Sequence, residues 1–477
     1  MTRSLDPLDS AFILLEVPGS AMNIGAVIEL ELGDVADPTE RFELIRKNVA
    51  ERLHEIPVLT RRVIRAPFDL MWPSLVPDTN VDLDRHISRV ALPSPGTADQ
   101  FDALISEFLS RPLVRTRPLW QLLIIEGLED GRVAAALKVH HALADGVSGA
   151  ETFASLFDIS PEVREPAPKV EDDDAGDVAT TPMSLLLDGL RRVRDDPAVA
   201  LGAVTSWCAR IFNVVRTVVQ VMLARGRRRT TPDQPSIFEA RRTSLNGRAG
   251  VEKSYHRTRV PLADAKRAAK HHGASVTDFV MATTSGALRR LMADRGEVLE
   301  RDLIAFVPIN VRGDGDTAEM GNQISGMLLD LHTRIDDPVT RLRAIARDSV
   351  RTVGVQRRRG ATMFQEMPRV LGPTVLSLGG KLVDALGLFD VVPPMANLML
   401  SSVPGPPIPL WLSGHRVVSA APVGPLLGPF SLNVTVLGFE QNLEFGILGS
   451  AETMPDLATL RDYLKEEALT LIATASE

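Results

Sequence analysis

Two adjacent histidines, His140 and His141, end the apolar run in "LKVHHALADGVSGA". A neutral imidazole, with an ordinary pKa of about 6.5, offers a lone pair near neutral pH and suits a general base. Such a base must also be fixed within reach of the proton it takes. A strand end fixes the backbone, and the loop beyond it aims the ring. Side chains alternate along a strand, so one of two neighbouring histidines faces a site while the other packs or hydrogen-bonds. Asp145 follows close behind and can fold back to hold that loop or pair with an arginine, while Gly146 permits a tight exit. A histidine pair alone more often merely ends a strand.

The chain carries its own control. His271-His272 follows a helical pattern, precedes Gly273, and has no Asp-Gly at the matching offset. Histidine at a helix C-terminus is favoured by the dipole, so this pair reads as structural. His54, His86 and His256 lack any partner pattern. No His/Cys spacing suggests zinc, no glycine-rich phosphate loop occurs, and "VRGDGD" lacks calcium-loop spacing, so no metal site is expected.

The elements that must position His140 and His141 are legible around them. "LWQLLIIEGL" and "RVAAALKVH" are apolar runs joined by "EDG", and Asp130-Gly131 is a strong hairpin signal. The histidines follow the second strand directly, and "GVSGAETFASLFD" then reads as a helix. Earlier, "AMNIGAVIELEL" reads as a strand, and "PTERFELIRKNVAERLHEIPVL" and "TADQFDALISEFLS" as helices. In the far half, "LADAKRAAKHHGASVTDFVMATTSGALRRLMADRG" reads as two helices, with Gly273 ending the first and Ser275 or Thr277 capping the second. "DLIAFVPINVR", "ISGMLLDLHTR" and "NLMLSSVPGPP" read as strands, "FSLNVTVLGFEQNLEFGILG" as a hairpin, and "PDLATLRDYLKEEALTLIA" as a closing helix. The expected class is α/β, with a first block over 1–160, a linker and helical segment over 161–235, and a second block over 236–477.

A chain of 477 residues can bury a sizeable core without staples. Its net charge of −8 argues against a general nucleic-acid binder, although the arginine runs at 227–229 and 357–359 leave room for anionic ligands. Cys208 is the one cysteine, which allows no intrachain disulfide and fits a reducing, cytoplasmic compartment. It sits in an apolar pattern and reads as a small core or interface residue. Asp6 and Asp9 interrupt the N-terminal stretch, so no signal peptide is expected, and no long uncharged apolar run predicts a transmembrane helix. The stretch "SPEVREPAPKVEDDDAGDVATTP" reads as a linker rich in proline and acid. The segment from Met183 to Arg229 reads either as helix packed on the body or as an interfacial helix with its basic end at anionic headgroups.

The residues also carry a family resemblance. "HHALADG" fits the HHxxxDG pattern of the CoA-dependent acyltransferase superfamily. The surrounding "RPLWQLLIIEGLEDGRVAAALKVHHALADGVSG" resembles the bacterial wax ester synthase/acyl-CoA:diacylglycerol acyltransferase family, whose PLW motif matches Pro118, Leu119 and Trp120. "LDPLDSAFILLE" resembles the family's start, and "GNQIS", "SSVPGP" and "LNVTVLGFEQNLEFG" follow in family order. The resemblance covers nearly the whole chain apart from the acidic linker. It implies a two-lobed, chloramphenicol-acetyltransferase-like fold of mixed sheets and flanking helices, with a tunnel between the lobes. It implies acyl-CoA as co-substrate, no bound cofactor, and diacylglycerol or a long-chain alcohol as acceptor. Peripheral contact with a membrane or lipid droplet fits the same reading.

The resemblance also assigns roles. His141 would deprotonate the acceptor hydroxyl, which attacks the thioester directly, and would return the proton to the departing thiolate. His140, Asp145 and Gly146 would be architectural. Pro118, Leu119 and Trp120 are candidates for the wall of the acyl channel. The oxyanion needs donors, for which Ser401, Ser402 and Asn433 are candidates. Three departures bear on acceptor preference and rate. Asn23 in "AMNIG" stands where the family has histidine, Thr277-Asp278 where it has Asn-Asp, and Ser402 in "SSVPGP" where it has asparagine. Two other readings are a lipid-binding or droplet-associated protein with vestigial catalysis, and an acyltransferase fed by carrier-protein thioesters.

Overall fold

The computed structural model describes residues 3–475, apart from positions 34, 36, 79, 427 and 429 and the stretches 144–153, 170–180, 311–323 and 360–362. Between 196 and 238 it describes only Phe212, Arg216 and Pro235. The acidic linker, Cys208, much of the segment after Met183 and the "VRGDGD" stretch therefore lie wholly or largely outside the described residues.

The hairpin forms where Asp130-Gly131 signals it, with Gly131 at a φ of 77° that favours glycine. It joins β6 (Trp120–Glu126) antiparallel to β7 (Val133–His140). On its other side β7 pairs antiparallel with β2 (Asn23–Leu30). These three strands form the middle of a six-stranded mixed sheet, with β5 (Ile87–Ala91) parallel to β6 at one edge. The other edge is built by β13 (His415–Val423) and β12 (Trp411–Leu412), from the far end of the chain. The first sheet thus draws on residues from both sides of the linker, and residues 1–160 do not complete it. Pro422 within "HRVVSAAPV" masks that strand, because proline inside a run argues against a sheet interior. A small sheet of β1 (Arg3–Ser4), β4 (Ser74–Pro77) and β3 (Arg61–Ile64) lies apart from it.

Strand β7 is buried on both faces. Val133, Ala135 and Val139 join a cluster with Ile13 of α1 (Pro7–Leu14) and Ile45 and Val49 of α2 (Pro38–Arg52). On the opposite face Ala134 and Ala136 meet Phe101, Ile105 and Leu109 of α3 (Ala98–Ser110). Alanine on that face lets α3 approach closely. Thr97 and Gln100 form a reciprocal cap at the start of α3. Lys138, next on the same face of β7, donates its amine to the carbonyls of Phe108 and Arg111, each at 2.7 Å. It thereby ties the strand to the end of α3, where carbonyls lack helical partners.

The second sheet is also six-stranded and mixed. Its order is β10 (Ile324–Asp330), β9 (Ile304–Asn310), β11 (Leu398–Val403), β14 (Leu432–Phe439), β15 (Asn442–Ser450) and β8 (Lys253–Pro261). Beyond α4 (Pro182–Asp195), helices α5 (Leu262–His271), α6 (Val276–Asp294), α7 (Pro338–Arg359) and α9 (Leu457–Ala473) share the apolar cluster of this sheet. Gly273, at a φ of 71°, ends α5, and Ser275 caps α6 with Asp278 bonding back, as the sequence predicts. Helix α8 (Met363–Ala385) is not read from the sequence, because Pro368, Gly372 and Pro373 interrupt its pattern.

The two sheets share one buried seam. Tyr255 of β8 and Leu448 of β15 pack into the same cluster as Ala134, Ala136 and α3. Glu29 of β2 accepts from Arg132 at 2.8 Å and is bonded by Arg257 of β8. Burial pushes the Glu29 carboxyl up, but Arg257 and Arg132 outweigh it and hold it below the usual range. Among the described residues, no helix is long and apolar enough to cross a membrane.

Candidate active site

His140 is the last residue of β7, and His141 opens the short turn that follows. Backbone bonds fix both. His140 N–H donates to the Leu119 carbonyl at 3.0 Å, and His141 N–H to the Met22 carbonyl at 2.7 Å. The pair is thus pinned between β6 and the residue before β2. The backbone N–H of Ala142 donates to Nδ1 of His140 at 3.1 Å. A donated N–H there requires the Nδ1 lone pair, so the neutral ring carries its proton on Nε2.

The rings meet different neighbours. The His141 ring lies against Phe12 of α1, with centroids 4.4 Å apart. His140 is fully buried, at 1 % exposure, and its Nε2 lies 3.7 Å from Glu16 Oε1. Glu16 forms an ion pair with Arg115 and accepts the Met22 N–H at 3.2 Å. Asn23 stands directly opposite His140 in the β2–β7 ladder. Both amide atoms of Asn23, Nε2 of His140 and Nδ1 of His141 are buried without a hydrogen-bond partner among the described residues. Such groups are rare in native interiors and call for an ordered water, a ligand or a catalytic reason.

Burial dominates the electrostatics. It lowers the His140 pKa to about 3, with Arg115 adding to the effect. Burial and then His140 lower that of His141 to about 4, against a small opposing pull from its own backbone carbonyl. That carbonyl lies near the ring, yet no hydrogen bond of regular geometry forms at Nδ1. Both rings are neutral at pH 7, and His141 has a lone pair to offer. Lys138, two residues upstream, is lowered to about 7, first by burial and then by Arg111.

The remaining sequence candidates are placed as follows. Asp145 and Gly146 lie outside the described residues. Pro118, Leu119 and Trp120 are buried at the start of β6. The Trp120 indole N–H donates to the Leu59 carbonyl at 2.9 Å, and its ring stacks on His86 at 4.4 Å. It is buried to 1 % exposure, with its indole N–H taken by the backbone and its ring by His86. Ser401 and Ser402 are half-buried on β11, paired with Thr435 and Val436. Asn433 is fully buried, donates to the Pro425 carbonyl at 2.8 Å and accepts from the Thr435 hydroxyl at 2.7 Å. Ser20 donates to the adjacent Leu426 carbonyl at 3.1 Å, so this loop reaches the N-terminal segment that carries Glu16. The control pair behaves as expected. His271 ends α5, and His272 contacts the Thr474 hydroxyl at 2.8 Å.

The sequence matches the wax ester synthase/diacylglycerol acyltransferase catalytic domain over residues 5–280 and the WS/DGAT C-terminal domain over residues 320–472. The chain belongs to that family. A putative diacylglycerol O-acyltransferase of Mycobacterium tuberculosis is 29 % identical over 99 % of this chain and 91 % of its own. A probable diacylglycerol O-acyltransferase of the same species is also 29 % identical, over 98 % of this chain and 96 % of its own. The wax ester synthase/diacylglycerol acyltransferase of Marinobacter aquaeolei VT8 shares the fold, with a TM-score of 0.71 at 23 % identity over 100 % of both chains. A condensation domain of the CDA synthetase shares it more loosely, with a TM-score of 0.53 at 17 % identity over 100 % of this chain and 97 % of that one. The WS/DGAT fold thus frames a site to which sequence reasoning did not assign Phe12, Glu16, Arg115 or Lys138. The first three lie in irregular or short helical segments, where no periodic signal marks a side chain that reaches the histidines.

Both rings have folded-state pKa values below the value of about 6.5 for an unfolded histidine. The unfolded chain therefore binds more protons below that pH, so this stability is complete above about 6.5 and is lost as pH falls towards 4 and 3. The melting temperature is expected to fall between about pH 7 and about pH 5, and His140→Asn should remove about one proton from the slope. A slope unchanged by that substitution would contradict a buried neutral ring.

Proposed function

We propose that this chain transfers a fatty acyl group from acyl-CoA to the hydroxyl of diacylglycerol, and also to long-chain alcohols, with His141 as the general base. The carrying observation is His141 itself, at a pinned strand end, held against Phe12 and kept neutral by burial. The names of the mycobacterial relatives support the same acceptor. The hydroxyl proton passes to the free ring nitrogen of His141 as the hydroxyl oxygen bonds to the thioester carbon. The carbonyl π electrons move to its oxygen, giving a tetrahedral oxyanion. Collapse restores the carbonyl and breaks the C–S bond, and the thiolate takes the proton from His141. Acyl-CoA and acceptor would reach the base through a tunnel between the lobes.

The test is CoA release from palmitoyl-CoA with a panel of diacylglycerols and long-chain alcohols. His141→Ala is expected to fold normally and lose about 10²–10⁴-fold in kcat, the usual worth of a general base. Near-normal turnover would remove His141 from this role.

We propose further that the protein touches a lipid surface through α8. Leu378 and Leu382 of α8, at 62 % and 57 % exposure, and Leu386 just past its end, at 60 %, recur at four-residue spacing, and the Leu386 N–H still donates to the Leu382 carbonyl at 2.9 Å, which keeps them on one side. Leu376 of α8 packs instead on Ala11 and Leu14 of α1, the helix that holds Phe12 on His141. An exposed apolar stripe of this kind marks an interaction surface. Leu378→Asp with Leu382→Asp is expected to weaken binding to phosphatidylcholine vesicles containing diacylglycerol about tenfold or more. Turnover on a water-soluble short-chain alcohol should stay unchanged. Vesicle binding unaffected by the pair would contradict this surface. Strong vesicle binding with no wild-type turnover would favour a lipid-binding protein instead.

A further inference from the structure

We infer that Nε2–H of His140 and the side-chain amide of Asn23 together hold the thioester carbonyl oxygen as it becomes an oxyanion. This assignment rests on the acyl-transfer reading above and gives His140 a part in the chemistry beyond architecture. Directly opposed residues of antiparallel strands project to the same side of the sheet, so Asn23 and His140 are side-by-side neighbours. They are buried to 6 % and 1 % exposure. Neither side chain hydrogen-bonds the other or any other described residue, except that Nδ1 of His140 receives the Ala142 N–H. That single bond leaves the ring proton on Nε2, so His140 presents a donor that no described residue accepts. The Asn23 amide presents a second. Two buried N–H donors, one on the residue next in sequence to the base and one opposite it in the ladder, are what a developing oxyanion requires.

The surrounding charge permits this. Glu16 lies 3.7 Å from Nε2, and it is matched by Arg115 and by the Met22 N–H. The other polar candidates serve less well. Asn433 already donates to Pro425 and accepts from Thr435, and Ser401 and Ser402 lie on β11 of the other sheet. In the reaction, the acceptor oxygen bonds to the acyl carbon while its proton moves to His141, and the carbonyl π pair moves to the oxygen that these two donors hold. That pair returns when the C–S bond breaks, and the thiolate leaves with the proton from His141. His140 and Asn23 donate hydrogen bonds throughout and give up no proton.

Two substitutions at His140 separate this role from a structural one. Asparagine places its amide where Nδ1 stood, so His140→Asn can still accept from Ala142 but has no group at Nε2. Glutamine reaches the Nε2 position, so His140→Gln keeps that donor and loses the Nδ1 acceptor. With folding checked by melting temperature, His140→Asn is expected to lose about 10²–10³-fold in kcat, with KM for palmitoyl-CoA changed less than about threefold. His140→Gln should stay within about tenfold of wild type. Asn23→Asp should lose as His140→Asn does, and the double variant should lose less than the product of the two, because both donors serve one oxygen. The reverse order, with His140→Asn active and His140→Gln impaired, would show that the ring serves only to receive the Ala142 N–H and would overturn the proposal. Full kcat in Asn23→Asp would overturn the part given to Asn23. If folded wild-type protein releases no CoA with any acceptor, the acyl-transfer reading itself fails and this assignment falls with it.

Discussion

The bond from the Ala142 N–H to Nδ1 of His140 sets the tautomer and the orientation of the first histidine. The rest of the site is arranged around a ring so fixed. It exists because the chain leaves β7 by a tight turn at His141, which brings the Ala142 amide back over the preceding ring. The turn in turn depends on β7 being held at both ends and on both faces. Lys138 ties it to the end of α3, and Met22 and Leu119 receive the two histidine amides.

Enclosure explains the chemistry as well as the geometry. A buried imidazole resists protonation, so both histidines stay neutral where an exposed pair would share charge near pH 6 to 7. The two neutral rings then differ in what they offer. One has its proton directed by a backbone donor, and the other stands against Phe12 with a nitrogen to accept a proton. Their burial from water strengthens each hydrogen bond made to a substrate and raises the cost of leaving those groups unpaired. The same burial makes the site a liability to stability in acid, where an unfolded chain would bind protons that the folded one refuses.

Much of this was legible in the sequence, and the reasons differ by feature. The Asp130-Gly131 hairpin, the histidines at its end and the Ser275 cap are local patterns, and each appears where its residues predict. The control pair at His271-His272 was separable from His140-His141 by its helical context, its flanking Gly273 and the lack of a following Asp-Gly. Long-range facts were not legible. Nothing local says that Asn23 pairs with His140, because strand register is decided by which faces are buried and not by spacing along the chain. Nothing local says that His415–Val423 completes the first sheet, and Pro422 argues against it. Nothing local says that the Trp120 indole bonds the Leu59 carbonyl and stacks on His86.

The central claim is direct transfer from thioester to hydroxyl by a neutral histidine, with no acyl group carried on the protein. Rapid-mixing of palmitoyl-CoA with an excess of enzyme, with and without diacylglycerol, tests it most directly. The account predicts CoA release only when the acceptor hydroxyl is present, and no acyl-protein adduct in its absence. A stoichiometric burst of CoA without acceptor, accompanied by acylated protein, would contradict it.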